Sequence, residues 1–144
     1  MNGLPLGSTS AHEVGFLDME RIEVLRGPQG TLFGRNSTGG VVNLITAKPN
    51  FDAFSGSAKL NYGKDNEKQV NVVLNVPISD SLAARFAFQN FEKDGITKNT
   101  YSKATGQFDD RDSYQWRASF LWEPTDTLSL TMVHEAYDEE SNRN

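Results

Sequence analysis

Asp109, Asp110 and Asp112 crowd three carboxylates into one short stretch, and carboxylate oxygens are what a calcium ion takes. They lack the alternating spacing and the central glycine of a calcium loop, so the stretch reads as a solvated acidic loop. Glu135, Asp138, Glu139 and Glu140 read the same way. Gly34 and Gly39 are spaced as in a phosphate-cradling loop, but Gly40-Val41 stands where the lysine and the metal-binding hydroxyl are needed. His12 lies near Ser8, Ser10 and Asp18, the residue types of a hydrolase triad, with nothing in their spacing to orient them. Asn36-Ser37-Thr38 has the form of a glycosylation acceptor, a pattern short enough to arise by chance. The chain has no Cys and only two His, His12 and His134, which removes thiol chemistry, disulfides, cysteine zinc sites and histidine-rich metal sites. The sequence thus offers no catalytic set, no metal site and no cofactor site, and an enzyme is not expected.

Composition narrows the class further. The 144 residues fit one ordinary domain, and a net charge of −5 lacks the basic footprint of a nucleic-acid binder. No apolar run approaches the ~18 residues of a membrane helix. A membrane β-barrel stays open, because its strands are apolar on only one side and barely raise the hydropathy.

The elements follow two grammars. Residues 1 to 48 are glycine-rich and irregular. Within them, 20–26 reads as a short strand with Ile22, Val24 and Leu25 inward. Gly27-Pro28-Gln29-Gly30 reads as a turn, 31–33 as a helical turn ended by Gly34, 36–40 as a second turn, and 41–46 as a buried β-branched strand. From residue 55 the period becomes two, over candidate strands 55–62, 68–77, 82–91, 113–123 and 128–137. Even positions are apolar over 58–62, 70–76, 82–88, 114–122 and 128–132, with His134 the break near the end of the last strand. Odd positions are mostly polar, with Val73 and Leu121 the clear exceptions. Tight turns at 77–81 and 123–127 mark one end of the sheet, and 63–67 and a long polar loop at 92–112 mark the other.

Such alternation serves a soluble β-sandwich equally well, its even positions facing a core. Strand length favours the membrane, since soluble strands average about 5–6 residues and a spanning strand needs about 9–11. Apart from Lys68 at the first position of its strand, the apolar face carries no Asp, Glu, Lys or Arg, and Tyr62, Phe88, Tyr114 and Trp122 lie towards strand ends, as interfacial aromatics do.

The segment from Asp18 to Gly34, Asp-Met-Glu-Arg-Ile-Glu-Val-Leu-Arg-Gly-Pro-Gln-Gly-Thr-Leu-Phe-Gly, followed by Gly39-Gly-Val-Val-Asn-Leu-Ile-Thr46, resembles the plug of TonB-dependent outer-membrane receptors. The resemblance implies a mainly β fold, part of a plugged outer-membrane barrel with antiparallel up-and-down strands. It implies that residues 1–48 are the C-terminal part of the plug and 49–144 the first five or so of about 22 barrel strands. Residues before and after these are then missing: a signal peptide, a TonB-contacting segment, the first half of the plug and most of the barrel. The implied function is energy-coupled uptake of a scarce substrate, above all a ferric siderophore or other iron complex, without catalysis or a bound cofactor. Partners would be the TonB-ExbB-ExbD complex, the small-molecule substrate and outer-membrane lipid, with no nucleic acid, in the outer membrane of a Gram-negative bacterium. In that family basic residues after the first plug strand and at the plug's exit pair with carboxylates of the barrel wall. Arg26 matches the first position and Lys48 loosely the second, with Glu23 on the same strand motif as Arg26. The alternative from a different class is a soluble all-β binding or adhesion module with a glycine-rich leader.

Overall fold

The computed structural model describes residues 16–28, 30, 39–95, 97–98, 107–108 and 110–141. Gln29, the expected helical turn at 31–33, Gly34, the acceptor at 36–38, His12, Asp109 and the tip of the polar loop lie outside the described residues. The chain divides into two units, Met1–Lys48 and Pro49–Asn144.

In the first unit β1 (Met19–Arg26) pairs antiparallel with β2 (Gly40–Thr46). Asp18 takes a left-handed φ of 48° just before β1, and its carbonyl accepts the Ala47 N–H at 3.0 Å, closing the open end of the pair. At the other end Gly40 has φ 141°, and a Cβ there would stand 2.6 Å from the Leu25 carbonyl oxygen. Only glycine fits that backbone approach. The expectation that Ile22 and Val24 point inward fails: they are 53% and 64% exposed, and Leu25 is half-buried. Strand pleating explains it. Ile22 and Val24 share one face with their partners Leu44 and Val42, whereas Glu23 and Leu25 lie on the other. Likewise β2 is half-buried, with Thr46 its one buried residue.

The second unit is a five-stranded sheet of β3 (Ser55–Tyr62), β4 (Lys68–Ser79), β5 (Leu82–Lys93), β8 (Arg111–Thr125) and β9 (Leu128–Glu140), adjacent in that order. Between β5 and β8, β6 (Thr97–Lys98) and β7 (Gln107–Phe108) pair with each other. All neighbours are antiparallel, so the unit is an up-and-down meander. Strands β5 and β8 run past the sequence-based ends, to the rung Lys93↔Arg111, which shortens the loop between them. The ion pair of Lys93 with Glu67 at 3.4 Å and the Asp94 N–H to Asp65 carbonyl bond at 3.0 Å hold that extension. The β3–β4 turn places Asp65 and Asn66 at φ 59° and 54°, the left-handed turn conformation these residue types tolerate.

Along the sheet even residues pair with even and odd with odd: Ala58↔Val72↔Phe88↔Trp116↔Ala136 on one side, Val73↔Ala87↔Arg117↔Glu135 on the other. The turns alone would not produce this. Two-residue turns at 80–81 and 126–127 pair Ser79 with Leu82 and Thr125 with Leu128, odd against even. A bulge between Pro77 and Ser79 and another between Trp122 and Thr125 insert the residue that restores parity. Pro77 and Pro124 sit at these irregularities, where a strand tolerates a missing N–H. The Glu123 N–H to Ser81 carbonyl bond, 2.8 Å, joins the two turns.

Burial runs opposite to a soluble core. Among the described residues the buried hydrophobics are Leu17, Ala83 and Ala87, whereas Asn75, Ser113, Gln115, Arg117 and Ser119 on the odd face are buried. On the even face Leu74, Phe86, Tyr114, Phe120, Trp122, Leu130 and Met132 are exposed. Phe88, expected near a strand end, falls mid-strand because β5 reaches Lys93. The apolar rows run from Leu82↔Trp122↔Leu130 to Phe88↔Trp116↔Ala136, and the row Asn90↔Tyr114↔Asp138 ends them. From Leu82 to Asn90 that is about 27 Å along the strand at ~3.4 Å per residue. With the strands tilted by about 40° the band projects to about 21 Å along the barrel axis, somewhat short of the ~25 Å apolar belt of a membrane barrel.

Candidate functional site

In the first unit the polar chemistry gathers on one face of the hairpin. Glu23 and Asn43 lie opposite each other, and Asn43 Nδ2 donates to Glu23 Oε2 at 3.2 Å. Arg21 Nε donates to Glu23 Oε1 at 2.8 Å, and its Nη1 also bonds Glu20. The hydrogen bond from Arg21, then that from Asn43, holds the Glu23 carboxyl below its ordinary range. The same bond raises the Arg21 guanidinium. Of the three residues singled out from the sequence, Glu23 thus has its partners within the hairpin, and Arg21, not Arg26, is its cation. Arg26 and Lys48 are exposed, at the end of β1 and just after β2, and make no ion pair among the described residues. The structure does not bring the three together.

In the second unit the odd face of β8 and β9 carries a ladder of charge. Arg117 faces Glu135 in register and donates to it through Nη2 at 3.1 Å and Nε at 3.4 Å. Gln115 Nε2 donates to the same carboxylate at 2.7 Å. Nearer the loops Arg111 Nη2 donates to Glu139 at 3.0 Å and to the Tyr137 hydroxyl at 3.4 Å, the Tyr137 hydroxyl donates to Glu139, and the Arg111 guanidinium lies 5.7 Å from the Phe91 ring centre. Glu135 and Glu139, read from the sequence as solvated acids, are therefore ion-pair acceptors. Their odd numbering was the available signal. The partners became visible only with the register.

At the start of β3 a different polar residue is fully engaged. Asn75 has no exposed surface. Its Oδ1 accepts the Asn50 N–H at 3.0 Å, and its Nδ2 donates to the Asn50 carbonyl at 3.1 Å, to Asn50 Oδ1 at 3.1 Å and to the Ala53 carbonyl at 3.2 Å. Asn75 is therefore not interchangeable with the other polar odd positions: a lysine there could not accept the Asn50 N–H and would put a charge where no surface is exposed.

Among the described residues no group of three His, Asp or Glu side chains is placed to hold a metal ion. Guanidinium–carboxylate pairs are directional and water-compatible, which suits polar walls that must be wetted or must part from a neighbour.

Residues 1–41 match the model of the TonB-dependent receptor plug domain. Over 139 residues the chain is 34% identical to the ferrioxamine B receptor of Salmonella typhimurium, covering 92% of this chain and 18% of that protein. It is 30% identical over 126 residues to the ferrioxamine receptor of Yersinia enterocolitica, covering 88% and 16% respectively. It is also 37% identical over 82 residues to an iron-regulated outer membrane virulence protein of Vibrio cholerae, covering 53% and 12%. The chain therefore spans less than a fifth of the length of the curated relatives it matches.

Proposed function

The chain belongs to the TonB-dependent receptors, and from that premise we propose that it serves energy-coupled uptake of a ferric siderophore or similar iron complex across the outer membrane of a Gram-negative bacterium. In this reading residues 1–48 are plug and 49–144 are the first strands of the barrel wall. The observation that carries it is the inverted sheet, with apolar side chains exposed on the even face and a buried ladder of Asn, Gln, Ser and Arg on the odd face. A soluble sandwich would bury the first set and expose the second. A barrel wall in lipid does the reverse, because hydrocarbon solvates the outside and the lumen is polar.

The substrate class follows the relatives named for ferrioxamine and for iron regulation. The energy source is the TonB-ExbB-ExbD complex, and the protein moves its substrate without altering it. Arg26 and Lys48 pair, in this reading, with carboxylates on the wall of the complete barrel, and Glu23 stays within the hairpin. Polar pairs are what a removable plug requires, since an apolar seam resists separation.

The test is uptake of radiolabelled iron in a host lacking its own siderophore receptors, with the complete coding sequence supplied. Accumulation from ferric ferrioxamine B that stops when the proton gradient is collapsed supports the proposal. Expression in the outer membrane without accumulation from ferric siderophores of any class would overturn it.

A further inference from the structure

Residues 49–54 are irregular backbone between the unit boundary at Lys48 and the first residue of β3. Irregular backbone packed against a sheet leaves N–H and C=O groups that need partners. One side chain supplies three of them. Asn75 lies opposite Ser55, the first residue of β3, so it stands where the strap turns into strand. Its amide bonds the N–H and the carbonyl of Asn50, the Asn50 side chain and the Ala53 carbonyl. The strap adds an internal turn, the Asp52 N–H to Asn50 Oδ1 at 3.3 Å, so Asn50 is held from both sides. Pro49, immediately before, is buried.

The chemistry selects asparagine. The amide must both accept an N–H and donate to carbonyl oxygens, and it spends its two N–H groups on three acceptors. Aspartate would set a negative charge against those oxygens. Leucine has the right size but leaves buried polar groups unmet. Serine cannot reach both Asn50 and Ala53.

We infer that Asn75 is an anchor that fastens the 49–54 strap to β4, so that tension arriving through the preceding segment ends at the strap instead of peeling β3 off the sheet. The inference rests on the proposed reading for the source of the tension, a plug pulled during uptake. The clasp itself involves only the second unit. The strap is the point of the second unit nearest in sequence to the load, and β3, paired with β4, is the first strand that load reaches.

The test uses the complete receptor in lipid vesicles, which needs neither substrate nor TonB. Amide exchange is followed by mass spectrometry over 49–62, and single molecules are pulled through a handle at Ala47. Asn75→Ala should accelerate exchange at 50–54 at least tenfold, leave β5 and β8 protected, and lower the force at which β3 detaches. Asn50→Ala, which keeps the backbone bonds to Asn75, should give a smaller acceleration in the same segment and guards against an Asn75→Ala protein that does not assemble. Unchanged exchange at 50–54 in either variant would overturn the clasp. Faster exchange with an unchanged detachment force would overturn the anchor. Loss of iron uptake in the unmodified receptor would count against the uptake reading alone, since neither readout here depends on it.

Discussion

Arg117 and Glu135 face each other across β8 and β9 with 3.1 Å between Nη2 and Oε1, and the arginine side chain is 2% exposed against 26% for the glutamate. The guanidinium is thus the partner with most to lose. Glu135→Ala leaves it buried without its carboxylate and should cost about 3 kcal/mol, the lower end for a broken buried pair because Glu135 is partly solvated. Replacing both by apolar residues, Arg117→Met with Glu135→Leu, should cost less than Glu135→Ala alone. Urea unfolding of the receptor in lipid vesicles measures both, and a Glu135→Ala protein as stable as wild type would show that the pair contributes nothing.

The even face should be the lipid face. Phe86→Lys and Leu74→Lys place an ammonium in the apolar band, a change worth ~2–4 kcal/mol near mid-bilayer. Assembled, heat-modifiable barrel should fall sharply for both. Gln89→Lys, on the odd face, should assemble normally. Equal losses for Gln89→Lys and Phe86→Lys would refute the assignment.

Glu23 gives a pH signature. Its carboxyl is held low by Arg21 and then by Asn43, so its stabilising contribution is complete above the ordinary glutamate pKa of about 4.3 and is lost as pH falls through the lowered value. Carbon NMR should find its midpoint below that of an unperturbed glutamate, and Arg21→Ala should move it upward. An Arg26→Ala protein should titrate at Glu23 as wild type does, since the hydrogen bonds on the Glu23 carboxyl come from Arg21 and Asn43.

The two ends of the sheet should face different compartments. A tag between Thr105 and Gly106, in the long loop, should be labelled on intact cells. A tag in the turn at Asp126-Thr127 should be labelled only after the outer membrane is permeabilised. The opposite pattern would invert the topology.

How far the sequence reached depends on what each feature needs. Period two along a strand is a local property, so the five long strands, their faces and their order as a meander were legible in the even and odd residue types. The hairpin of 20–26 with 41–46 was equally legible as two strands. Which side of it would be covered was not, because Ile22 and Val24 carry the same apolar signal whether or not anything packs on them.

Register is where local reading ends. The sequence determined that Arg117 and Glu135 are odd and polar. Only the bulge at Pro124 decided that they meet, because the two-residue turn by itself would set Arg117 against an even residue. Asn75 makes the same point more strongly: as a residue type it equals Asn71 or Gln89, yet a segment some 25 residues away in sequence folds onto it. Hydrogen-bond capacity is written in the side chain. Which backbone groups will be left needing it is fixed by the path of the chain, and that path exists only in three dimensions.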